Sequence, residues 1–262
     1  MNADTVNYTR VISLDGGVNF RDLGGYKNKH GQQVRWRKLF RSGHLAELSD
    51  ADIDALADMS ITEVHDFRRK EEQERTPSRS LQASTTNDYE MFIGSMSKFW
   101  DHLQSGQLNA NTAHDLVVGS YERCHKEVAP AYRRMFKSLI ANGHNASLFH
   151  CAAGKDRTGI AAALILGALD VDQQIIVDDY LLTLEHFDSA KLLKIVEGHL
   201  RQAKVEHWER EWLIPYVSVR EDNIRGFLSG IKKDYGEIQD YLRGELKLEQ
   251  NELDEFQSIY LE

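Results

Sequence analysis

Cysteine and proline are scarce in this 262-residue chain, with two of the first (Cys124 and Cys151) and three of the second (Pro77, Pro130 and Pro215). Two cysteines exclude a disulfide framework and suit a reducing compartment. So few prolines leave room for many uninterrupted helices. Basic residues are in deficit, 32 Lys and Arg against 41 Asp and Glu, for a formal net charge of −9. A general nucleic-acid binder normally shows the opposite balance, although net charge does not forbid a local anion site. No apolar run approaches the ~18 residues of a membrane span, and the stretch around Ile160–Leu169 is about half that. The opening MNADTVNYTRVISLDGG has no apolar core of signal-peptide length. The expectation is a soluble, cytoplasmic protein without integral membrane association, although specialised export would leave no such mark.

What is present is an ordinary globular composition, 41% hydrophobic and 28% charged, which excludes disorder, collagen and coiled coil. A chain of this length buries enough surface to fold without metal or disulfides. The start is rich in glycine and turn signals (DGG at 15–17, NFRDLGG at 19–25). His30-Gly31 suits a turn into a strand at about Gln33–Phe40. Ser49 fits a helix N-cap with Asp52 in the first turn. Ile61–Phe67 reads as a strand, and the polar stretch from Arg68 to about Glu90 as turns and loop. Between Met91 and Val118 the pattern predicts a helical patch around Phe92–Leu103, with the remainder as loop. Val128–Ala141 has helical spacing, Ser147–Cys151 is a short buried strand, and Thr158–Leu169 is apolar on every face, as befits a helix through the core. Further amphipathic helices are expected near Val219–Tyr235 and Asn251–Leu261. Few strands among many helices predict an α/β fold, a small and largely parallel sheet surrounded by helices. No linker divides the chain, so residues 1–262 read as a single domain.

The chemistry concentrates in His150-Cys151-Ala152-Ala153-Gly154-Lys155-Asp156-Arg157-Thr158-Gly159. A loop between a strand and a helix directs consecutive backbone N–H groups and a helix N-terminus at one spot, which makes an anion cradle. Cys151 would lie at the bottom of the cradle and Arg157 at its rim, forking onto two oxygens; Gly154 allows close backbone approach. The helix terminus, the loop amides and Arg157 all favour a thiolate over a thiol. Such a thiolate can attack phosphorus and form a cysteinyl-phosphate that water later hydrolyses. The plainer alternative is a buried structural cysteine at a strand end.

HCAAGKDRTG resembles the phosphate-binding loop of the cysteine-dependent protein tyrosine phosphatase superfamily, and more narrowly that of its bacterial tyrosine/lipid phosphatase subgroup. NFRDLGGY (19–26), LFRSGHL (39–45), the stretch around PAYRRMF (130–136), DDYLL (178–182) and YGEIQDYL (235–242) are similar to the subgroup's other landmarks. The resemblance implies a protein tyrosine phosphatase-like fold with helical lid insertions at about 79–120 and 188–215. It implies Cys151 as nucleophile, and phosphate binding by Ala152, Ala153, Gly154, Lys155, Asp156, Arg157 and Thr158. Arg157 would also bind the transition state, Thr158 would help the thiolate leave, and His150 would support the loop. Lys155 adds charge at the rim and is shared with phosphatases that accept phosphoinositides; its alternative is a solvated loop charge.

The general acid is Asp156 or Asp66, since the chain has no Trp-Pro-Asp; Asp66 could instead be a structural carboxylate pairing with Arg68 or Arg41. The expected substrates are phosphotyrosine proteins, with phosphoserine/threonine or phosphoinositides as extensions, and no metal or other cofactor is expected. A rhodanese-like sulfur transferase and a non-catalytic phosphate-binding adaptor are the alternatives. Cys124 is either buried in a helix or a resolving partner for Cys151. The run RRK at 68–70 followed by EEQE reads as a solvated face.

Overall fold

The computed structural model describes residues 8–93 and 96–262. Gly94 and Ser95, inside the expected helical patch, lie outside the described residues, as do the first seven of the N-terminal stretch. Five strands form one sheet among the described residues: β1 (Arg21–Asp22), β2 (Leu39–Ser42), β3 (Ile61–Asp66), β4 (Thr85–Asp88) and β5 (Ala146–His150). Their order is β1-β2-β5-β3-β4, antiparallel only between β1 and β2 and parallel elsewhere. Helices surround this sheet, so the fold is α/β with a small, largely parallel sheet.

Alternation along β2 and β5 splits the core into two layers. Phe40 and Leu148 face a cluster with Leu45, Leu48, Ile53, Leu56 and Val64. Leu39 and Phe149 face the larger cluster, with Tyr132, Phe136 and the helix Asp156–Ala168. That helix is buried almost throughout its length, as its unbroken apolar sequence requires. A third, smaller cluster joins Phe99, Leu103, Leu108, Ala113, Leu200 and Leu213. It ties the helices Met96–Gln104, Ala110–Arg123, Ser189–Gln202 and Arg210–Val217 to one another. No helix among the described residues is long and apolar enough to cross a membrane.

Three details depart from the sequence reading. The strand expected from Gln33 begins only at Leu39, because Arg37 takes a left-handed conformation (φ 63°) that interrupts extension. The stretch expected to be turns contains a helix, Lys70–Arg75, and the edge strand β4. The loop expected after Leu103 contains the helix Ala110–Arg123, started by a reciprocal cap between Asn109 and Thr112. Ser49 and Asp52 cap the helix Asp50–Ala57 as the spacing predicts.

Register fixes where chemistry can occur. Arg41 lies opposite Phe149, Ser42 opposite His150, and Asp66 opposite His150. The carboxyl ends of β2, β3 and β5 therefore finish level, and their loops open at the same edge, the usual binding edge of parallel sheets.

Candidate active site

Cys151 is the first residue beyond β5 and is buried at 2% exposure. The chain then turns through Gly154 (φ 68°) into the helix that starts at Asp156. Glycine is required there twice over. The φ belongs to the region L side chains avoid, and a Cβ would come 2.6 Å from the backbone of Ser42 and Gly43. The loop's carbonyls are tied to the sheet edge. Gly154 O accepts from Asn19 Nδ2 (2.9 Å) and Arg41 Nη2 (3.0 Å), and Ala152 O accepts from the His44 amide (2.9 Å). No group among the described residues accepts from the backbone N–H of Ala152, Ala153, Gly154 or Lys155.

Beneath the loop lies a buried charge cluster. Asp179 accepts from Arg21 Nε (3.3 Å), from Arg41 Nη1 and from Tyr26 OH (3.1 Å). Burial works against its charge, but Arg21 and Arg41 outweigh burial and hold the carboxyl down at about 2. Arg21 also donates to Asn19 Oδ1, which orients the amide that reaches Gly154. The sequence landmarks NFRDLGGY, LFRSGHL and DDYLL thus meet under one loop.

Arg157 is the second residue of the helix and is held from outside the loop. Its Nη1 donates to Glu72 Oε2 (2.7 Å), Phe67 O (3.0 Å) and Met91 O (3.2 Å), and its Nη2 to Glu72 Oε1 (2.8 Å). A guanidinium has five N–H donors, so Nε–H and one Nη2–H remain, adjacent on the edge away from Nη1. Tyr132 OH donates to the Arg157 carbonyl at 2.6 Å and fixes the backbone there. Burial of Glu72 opposes its charge, yet the fork with Arg157 brings its carboxyl down to about 2. Sequence reasoning missed Glu72, having placed EEQE on a solvated face; Arg68, in the same run, is itself buried.

The two acid candidates sit in different surroundings. Asp66, at the end of β3, takes four bonds from Arg68: its amide (2.9 Å), Nε (3.0 and 3.1 Å) and Nη2 (2.7 Å). Burial would raise its carboxyl, but His150 and Arg68 outweigh that and leave it below the usual range. Asp156, the first residue of the helix, has a partly exposed side chain, with Tyr121 OH 2.5 Å from Oδ1 and Lys155 Nζ 3.1 Å from Oδ2.

Lys155 departs from its expected place at the rim. It is buried, and its ammonium donates to the carbonyls of Tyr216 (2.8 Å) and Ser218 (3.3 Å), at the end of the helix Arg210–Val217. The Asp156 carboxylate completes its surroundings as an ion-pair partner, with Oδ2 3.1 Å from Nζ. His150 is fully buried, and burial holds its imidazole down to about 4, so it is neutral at physiological pH. The Thr158 hydroxyl is buried and has no hydrogen-bond partner among the described residues. Cys124 lies buried between two helices, its thiol donating to Tyr121 O at 3.3 Å and pushed up to about 12 by burial. That thiol stays protonated, which removes the nucleophilicity a resolving partner needs. No group of three or more His, Cys, Asp or Glu among the described residues could hold a metal ion.

The chain has relatives among known proteins. Over 252 residues the chain is 30% identical to a Cupriavidus necator protein that bears a provisional tyrosine-protein phosphatase name, covering 94% of this chain and 88% of the relative. It is 26% identical over 265 residues to the triple specificity protein phosphatase PtpB of Mycobacterium tuberculosis, covering 89% and 93% of the two chains. Among solved structures, P. aeruginosa TpbA in complex with phosphotyrosine aligns over 87% of this chain and 88% of that one, at 12% identity and a TM-score of 0.33. Residues 12–262 match the tyrosine phosphatase family, and this chain belongs to that family of enzymes.

Proposed function

We propose that the chain hydrolyses phosphotyrosine monoesters through a cysteinyl-phosphate on Cys151. The observation that carries this reading is the set of donors converging on one loop. Among the described residues the amides of Ala152–Lys155 have no acceptor, and Arg157 is forked by Glu72 so that two of its N–H groups have none either. Those donors suit the equatorial oxygens of a transferring phosphoryl group, where charge spreads in the transition state. In the first step Cys151 Sγ forms the S–P bond as the ester P–O bond breaks, and an acid protonates the leaving phenolate. In the second, a water oxygen attacks phosphorus and gives a proton to the carboxylate left by the first step, the S–P bond breaks, and the electron pair returns to sulfur.

Asp156 is the better acid of the two candidates. It directly precedes Arg157 and its side chain is 31% exposed, whereas that of Asp66 is 4% exposed and takes four bonds from Arg68. Asp66 then serves as the brace that closes the turn after β3. The Mycobacterium relative's name, triple specificity, supports extension to other phosphomonoesters. Lys155 gives no support to a second-phosphate site, because its ammonium is buried, hydrogen-bonded to two carbonyls and paired with Asp156. The helices Ser189–Gln202 and Arg210–Val217, joined to the Met96–Gln104 segment through their own apolar cluster, are the part of the fold suited to cover the site.

The test is steady-state hydrolysis of an aryl phosphate between pH 4.5 and 8 in excess EDTA, comparing the native enzyme with Cys151→Ser. Activity that survives EDTA and disappears in the variant supports the proposal. Equal activity in both would remove Cys151 from the mechanism.

A further inference from the structure

A chain of buried hydroxyls runs from behind the phosphate loop to Asp156. Tyr121 stands near the end of the helix Ala110–Arg123, Tyr180 in the helix Gln173–Leu181, and Asn223 in the helix Glu221–Tyr235. Tyr121 OH donates to Asp156 Oδ1 at 2.5 Å and lies 2.8 Å from Tyr180 OH. Tyr180 OH in turn accepts from Asn223 Nδ2 at 3.5 Å. Because Tyr121 spends its proton on Asp156, Tyr180 must donate to Tyr121, and all three donors point one way, toward the carboxyl. Burial first, and then the Asp156 charge, push both phenols well above the usual range. They stay protonated, so each can donate a hydrogen bond and neither can serve as the acid.

We infer that Tyr121 is a positioning residue for Asp156, which this reading takes as the general acid proposed above. A side chain at the first position of a helix, 31% exposed, is ordinarily free to rotate. The Tyr121 hydroxyl fixes its rotamer and occupies Oδ1. The oxygen left to carry the proton is Oδ2, on the side of the carboxyl where Lys155 lies. When that proton passes to the leaving oxygen, Tyr121 and Lys155 together offset the charge left behind. Tyr121 comes from the helix opened by Asn109, far outside the phosphate loop, so alignment of the acid depends on that helix being docked.

The experiment compares native enzyme, Asp156→Asn, Tyr121→Phe and Tyr180→Phe on two aryl phosphates. One leaving phenol is as weakly acidic as tyrosine and needs a proton; the other is strongly acidic and leaves without one. The readout is kcat/KM, which reports cleavage of the P–O bond. Asp156→Asn should lose roughly 100-fold on the first substrate and less than about threefold on the second. Tyr121→Phe should lose roughly tenfold on the first only, with Tyr180→Phe smaller and in the same direction.

Equal losses of Tyr121→Phe on both substrates, or no loss, alongside a leaving-group effect in Asp156→Asn, would overturn the inference and leave the acid in place. Absence of the effect in Asp156→Asn would remove the acid assignment and the inference with it. Should Tyr121→Phe not fold, Tyr180→Phe tests the relay one step back: a loss on the first substrate only supports the inference, and an equal loss on both, or none, overturns it.

Discussion

Glu72 grips Arg157 with both carboxylate oxygens, at 2.7 and 2.8 Å, from a helix 85 residues earlier in the chain. The guanidinium is therefore aimed by a residue that lies outside the loop proposed to bind phosphate. An arginine at a loop rim would otherwise sample many rotamers, and each one lost on binding costs free energy.

Glu72→Gln keeps the shape and loses the charge-assisted fork. The expected outcome is a fall in kcat/KM of roughly 10- to 100-fold on an aryl phosphate, with weaker competitive inhibition by inorganic phosphate. Unchanged inhibition by phosphate would show that Arg157 needs no external brace.

Asp179 neutralises two buried arginines at once, through Arg21 Nε and Arg41 Nη1. Burial and the neighbouring Arg41 already bring the Arg21 guanidinium down to about 10. Asp179→Asn leaves both charges uncompensated, and urea unfolding should report a loss of about 3–5 kcal/mol. The expected companion effect is reduced activity, since Arg41 also holds the Gly154 carbonyl.

Alanine at position 154 meets two obstacles, a positive φ and the backbone of Ser42 and Gly43 at 2.6 Å. Gly154→Ala should destabilise the fold by about 2–4 kcal/mol and abolish turnover. Denaturant midpoints and hydrolysis rates on the same preparation check both parts.

Acid sensitivity follows from His150, held at about 4 in the fold, mainly by burial, against 6.5 for a free imidazole. A base with a depressed folded value binds its proton first in the unfolded chain. Its contribution is whole above pH 6.5 and is lost as pH falls toward 4, about 3 kcal/mol in all. His150→Asn should flatten the decline in urea midpoint between pH 7 and pH 5; a slope equal to that of the native protein would place the acid-sensitive group elsewhere.

The cradle was legible because it is local. Cys151, Gly154, Asp156 and Arg157 fall within ten residues, and the strand before them and the helix after them were both readable from their apolar runs. Glu72 was illegible for the opposite reason. KEEQER has the charge pattern of a solvated helix, and only folding brings it to a loop 85 residues away. Tyr121 has no sequence mark either, since an aromatic at helical spacing usually packs in a core, and its hydroxyl is what matters here. The edge strand β4 hid because TTND is polar and mostly exposed, paired on one side only. Lys155 was read at the rim because lysines usually seek solvent; the carbonyls of Tyr216 and Ser218 give its ammonium an equivalent set of acceptors under cover.

In a trans peptide unit the carbonyl and the N–H point in opposite directions. Asn19, Arg41 and His44 therefore do more than fasten the loop: by drawing the Ala152 and Gly154 carbonyls outward, they turn the amides of Ala153 and Lys155 inward. Desolvation and ordering of those dipoles are completed when the chain folds, before any oxyanion arrives. The tetrahedral anion proposed to enter this loop would meet a solvation shell already assembled from backbone, with little of its binding energy spent on reorganising the protein.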